Sequence, residues 1–136
     1  MARKVFQDFA HVLCQRFVEV PSNRDLVNLA ILGGGTLVLD IIGQKATCNR
    51  YPVDPLPYCD TARDWLFSQL QDRRIPINEL SGASLAVEYS VNLSWVPGVP
   101  YAKARFDFAC TGSISSPDRQ YTSVLKAQKD WGLYTV

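Results

Sequence analysis

The sequence predicts an α+β fold: a two-layer sandwich in which a mostly antiparallel sheet of four to six strands carries two helices on one face, in the order helix, hairpin, helix, hairpin, tail. Three observations carry that expectation. Apolar residues recur with a helical period near the start, and two later runs alternate strictly between apolar and polar, the code of half-buried antiparallel strands. The chain has 136 residues, 47% of them hydrophobic and 20% charged. That is a single-domain length with enough apolar surface for one core, so residues 1–136 are read as one domain.

Placed on a 100° wheel, Val5, Phe6, Phe9, Ala10, Val12, Leu13, Phe17 and Val20 share one broad arc, which predicts an amphipathic helix over about residues 3–18. Arg16 interrupts the arc, as a long side chain can when its stem lies on apolar surface and its charge stays wet. Asp8, His11, Gln15, Arg16 and Glu19 break up any apolar run. Residues 1–20 therefore read as neither a signal peptide nor a membrane span, and a cytoplasmic protein without a membrane partner is expected. The turn formers of PSNRD, residues 21–25, then end the helix.

Leu26–Leu32 and Thr36–Ile42 are two apolar runs whose shortness and β-branched content favour strands over helices, and they are read as two strands. Between them, Gly33, Gly34 and Gly35 are read as a tight hairpin turn, because such turns need positive φ. A phosphate loop is disfavoured. The GxxxxGK[ST] pattern is absent, a strand is expected where a helix should follow, and Val38 stands where GxGxxG would need glycine.

From Gly43 to Asp60 three prolines and no period predict a partly rigid loop. Asp60 or Thr61 then caps a helix whose buried face is Ala62, Trp65, Leu66 and Leu70, with Phe67 at its edge; Arg73 and Arg74 suit its C-terminal dipole. Ala83, Leu85, Val87, Tyr89, Val91, Leu93 and Trp95 alternate inward, and after VPGVP the code resumes with Ala102, Ala104, Phe106, Phe108 and Cys110. A tight turn would set Glu88 against Asp107, a like-charge pair, so the preferred register is the looser one that pairs Ser90 with Asp107 and Asn92 with Arg105. The tail is expected to hold short edge strands near Tyr121 and Leu133.

The formal charge of +1 leaves no concentrated positive field, so no nucleic-acid partner is expected. Cys14, Cys48, Cys59 and Cys110 lack CxxC or metal-ligand spacing, so neither a metal nor another cofactor is expected. Free thiols are expected in a reducing compartment, whereas Cys48 and Cys59 could bridge their loop in a secreted protein. His11 lies three residues from Cys14 on the first helix, within reach of it. Nothing supplies an oxyanion hole or an orienting third group, so the pair is not read as a nucleophilic site. No catalytic residue is named.

The predicted first hairpin is apolar on both faces, which implies a cover: the tail, a second copy forming a homodimer through that hairpin, or another protein. The preferred function is accordingly a non-enzymatic protein-binding module, a small immunity or antitoxin protein that neutralises a partner. The expected contact is the proline loop with Arg50, Tyr51 and Tyr58, residue types favoured at interface hot spots. A small enzyme or ligand-binding domain with a pocket between helix and sheet is the alternative, and a structural subunit of a larger assembly is a third.

Overall fold

The computed structural model describes residues 2–19, 22–51, 54–95, 97–98 and 101–134. Its elements run α1 (Ala2–Glu19), α2 (Asn23–Leu32), β1 (Gly34–Asp40), β2 (Lys45–Asn49), α3 (Leu56–Asp72), β3 (Gly82–Trp95), β4 (Tyr101–Ser115) and β5 (Gln120–Tyr134), with a single 3-10 turn at Ile77–Glu79. The fold is α+β, with one open antiparallel sheet of five strands in the order β2-β1-β3-β4-β5. Among the described residues there are three helices rather than two.

The first helix forms as its period requires, with Phe6, Phe9, Ala10, Leu13, Cys14 and Phe17 buried; Val20 lies outside the described residues. Its close approach to the sheet depends on Gly112 of β4, where an added Cβ would stand 2.3 Å from the carbonyl oxygen of Ala10. At that point the helix backbone rests on the strand backbone with no side chain between them.

The reading of Leu26–Leu32 as a strand is corrected: the segment is helical. Ser22 accepts from the Asp25 amide while the Asp25 carboxylate accepts from the Ser22 amide, a reciprocal cap that starts α2. Gly33, at φ 78°, ends it in the left-handed region and donates to the Leu29 carbonyl. The glycines therefore join a helix to a strand and do not turn a hairpin. The apolar residues thought to coat a second face divide between elements: Leu26, Leu29 and Ala30 are buried from α2, and Leu37, Leu39 and Ile41 from the strand side. Ile31 and Val38, by contrast, are exposed, and the first hairpin, through which a homodimer was expected, is not built from Leu26–Leu32.

The hairpin that does form is β1–β2, pairing Leu37 with Cys48 and Leu39 with Ala46. The expected loop thus contains a strand. It also contains the first turn of α3, which starts after Pro55 with Pro57 in its opening turn, not at Asp60 or Thr61. Proline is accommodated there because the first-turn amides have no intrahelical acceptor. Residues 52 and 53 of that loop lie outside the described residues. The face expected of this helix forms with Ala62, Leu66 and Leu70 buried, Cys59 added to it, and Trp65 and Phe67 half-buried.

Strands β3 and β4 pair in the looser register, Ser90 opposite Asp107 and Asn92 opposite Arg105. The tail forms a single long edge strand against β4, not two short ones. Ala83, Leu85, Val87, Tyr89, Ala104, Phe106, Phe108, Cys110 and Ile114 are buried on one face of the sheet, which is where α1 packs over β4 and β5. Among the described residues no helix is long and apolar enough to cross a membrane.

Candidate binding groove

Phe17, near the C-terminal end of α1, lines a concavity that also takes in Tyr51 and Tyr58. Tyr58 meets Phe17 edge-on at 5.0 Å and 88°, and Tyr51 lies 6.2 Å away. Tyr58, Ala62 and Trp65 stand on one face of α3 at helical spacing, so the ring of Trp65 continues the wall that Tyr58 begins. Pro55 and Pro57 close one end, and Arg16, Glu19 and Asp54 bring charge to the rim. The groove encloses about 490 Å³, within the range of sites that take a small ligand or large side chains.

Most of its polar heads are already engaged. The Tyr58 hydroxyl donates to the Leu13 carbonyl at 2.8 Å, and burial pushes its phenol pKa well above the ordinary value. Burial, with Asp25 and Tyr89 adding to it, pushes Tyr51 up to about 12. Both rings stay neutral through the physiological range and offer faces and edges. The Arg16 guanidinium lies 5.0 Å from the centre of the Trp65 ring, a stacked cation held at the rim. Behind the groove the aromatic contacts run on into the core, from Tyr51 to Tyr89 at 6.1 Å and from Tyr89 to Phe108 at 6.5 Å.

Of the three residues the sequence singled out, Tyr51 and Tyr58 come together around Phe17, both half-buried against the core. Arg50 does not join them. It is exposed at φ 64°, and its carbonyl accepts from the Tyr89 hydroxyl. Arg16, Phe17 and Trp65 were missed as site residues. Arg16 was visible as the one charge inside the apolar arc of the first helix, while Trp65 was assigned wholly to the core.

The cysteines are free. Cys48 is exposed on β2 and Cys59 is buried in α3, where its thiol faces the Lys45 carbonyl at 4.0 Å, so the two do not bridge. Cys14 and Cys110 are buried against each other in the core, and that contact followed by burial pushes the Cys110 thiol up. His11 turns the other way, with Nδ1 3.3 Å from the Ser123 hydroxyl. No family model matches the chain, and neither a curated protein nor a solved structure matches it.

Proposed function

We propose that the protein is a non-enzymatic protein-binding module that takes an apolar or aromatic side chain of a partner protein into the groove between α1 and α3. The observation that carries this reading is the convergence of Phe17, Tyr51, Tyr58 and Trp65 on one concavity with Arg16 stacked at its rim. Tyrosine, tryptophan and arginine supply most interface energy where they can be desolvated in a pocket. The contacts of Phe17 with Tyr51 and Tyr58, and of Phe9 with Trp65, hold these rings in place before binding, which lowers the entropy lost on docking. A toxin held inactive by such contact, as an immunity protein holds it, is the form of partner this reading takes.

The test is affinity capture followed by titration of the captured protein against single alanine variants at Arg16, Arg50, Tyr51, Tyr58 and Trp65, each with its melting temperature. Affinity falling about tenfold or more at Arg16 or Trp65 with melting unchanged, ~1.4 kcal/mol, supports the groove. Melting that falls while affinity holds makes the rings structural and removes the groove from the interface.

The reading as a structural subunit of a larger assembly is favoured by a different feature. Leu93 and Trp95 continue the alternation of the buried sheet face yet are 49% and 61% exposed. They stand on the far part of the β3–β4 pair, an apolar arm available to a neighbouring subunit.

A further inference from the structure

We infer that β5 is a self-association edge: two copies join antiparallel through β5 about a twofold axis at Gln128, extending the sheet across both chains. This proposal concerns a surface apart from the aromatic groove and stands or falls without it. β5 is the last strand of the sheet, and its pairing with β4 runs unbroken from Gln120 to Tyr134. One row of backbone donors and acceptors along it therefore has no partner strand among the described residues. Gln7 of α1 donates to the Thr122 carbonyl. That carbonyl therefore turns away from β4, and by the alternation of an antiparallel strand the backbone groups of Val124, Lys126, Gln128 and Asp130 turn outward with it.

Charge selects the register. A twofold axis perpendicular to the sheet keeps each face continuous, so residues of the same face meet across the joint. Centred on Gln128, this arrangement sets Lys126 opposite the partner's Asp130 and Asp130 opposite the partner's Lys126. Centring it on Lys126, Lys129 or Asp130 would instead bring identical charges together, and centring it on Ala127 pairs no charges at all. Asp130 already lies 3.7 Å from Arg105 with its side chain 80% exposed. The incoming lysine would therefore complete a row of cation, anion, cation. Edge lysines ordinarily keep foreign strands away. Here a matching aspartate four residues on lets the edge accept its own kind.

Gln7 of α1 already occupies the Thr122 carbonyl, so the joint takes the strand from Val124 to Gly132. α1 covers the opening of β5, with Phe6 against Tyr121 at 5.5 Å and His11 beside Ser123. About an axis at Gln128 the two copies of α1 lie over opposite ends of the joined strands.

Sedimentation velocity over a concentration series tests this. The wild type is expected to dimerise. Lys126→Asp or Asp130→Lys alone should raise the dimer dissociation constant about tenfold or more, and the double exchange should restore it. Gln128→Pro removes an outward amide without touching the β4 ladder, so it should abolish the dimer while the monomer melts as before. A wild type that is monomeric up to its solubility limit overturns the proposal. So does a dimer indifferent to both charge reversals, or a double exchange that recovers nothing.

Discussion

Gly112→Ala isolates the contact that seats α1 on the sheet. The new Cβ would stand 2.3 Å from the Ala10 carbonyl oxygen, 3.0 Å from its carbonyl carbon and 3.3 Å from its Cα. A close carbon–oxygen contact is about 3.3 Å, so the helix must lift by roughly 1 Å. A gap of that size forfeits a quarter to a half of each dispersion contact beneath it. Phe6, Phe9, Leu13 and Cys14, all buried, lie on the face that lifts. Overpacking of this kind costs about 3 kcal/mol at its upper end, and the ~1 kcal/mol gained by replacing a strand glycine offsets part of it. We expect a net loss near 2 kcal/mol and a melting temperature lower by roughly 5–10 °C. Urea unfolding and calorimetry measure both.

Gly82→Ala is the control. A Cβ there meets nothing closer than Ser115 Cβ at 3.8 Å, so that variant should be as stable as the wild type or slightly more so. If Gly112→Ala falls within about 0.5 kcal/mol of the wild type, α1 does not rest on β4 at Ala10. If both variants lose stability equally, the cost belongs to the strands and the argument from the helix contact fails.

Gly33→Val should destabilise by about 1–3 kcal/mol, because a β-branched residue would have to hold the φ of 78° that ends α2; Gly33→Asn should lose less, and equal losses in urea unfolding would show that the left-handed geometry is not the cause. Cys110→Ser should cost about 1–3 kcal/mol by placing a hydroxyl in the core, while Cys48→Ser, exposed, should be neutral in the same assay. Stability should also fall in alkali. The folded Tyr51 keeps its proton to about 12 while the unfolded chain releases it near 10.0, so this contribution is whole below pH 10 and is lost as pH rises towards 12. The slope is about 1.4 kcal/mol per pH unit for each such tyrosine; Tyr51→Phe should flatten the profile from urea unfolding by about that amount, and an unaltered slope would refute the assignment.

How much of this was legible in the sequence depended on where a single interaction dominated. The β3–β4 register was readable because one alternative set Glu88 against Asp107 and the other did not, and the structure adopts the second. α2 was not readable from its apolar content, since a short apolar run suits a buried strand and a buried helix equally. The deciding signal was the cap: Ser22 with Asp25 three residues on, which resembled turn residues because proline preceded it. β2 escaped because only Ala46 of its five residues is even half-buried, so no alternation marks it. From Tyr121 to Asp130 β5 presents half-buried positions on one side and exposed ones on the other, but Ser123, Ala127 and Lys129 on the inner side blur the code.

The groove was hidden by the same kind of ambiguity. Pro55 and Pro57 suggest a loop that lasts until Asp60, whereas proline in a first turn sacrifices no intrahelical hydrogen bond. Starting α3 too late left Tyr58 on a loop, unconnected to Ala62 and Trp65. Starting it at Leu56 places all three on one helical face, where Tyr58 also reaches the Leu13 carbonyl and ties α3 to α1. The misplaced helix start therefore hid the half of the site supplied by α3. The other half, Arg16 and Phe17, was already visible as a cation interrupting an apolar arc, and needed only a partner ring to show why that cation is there.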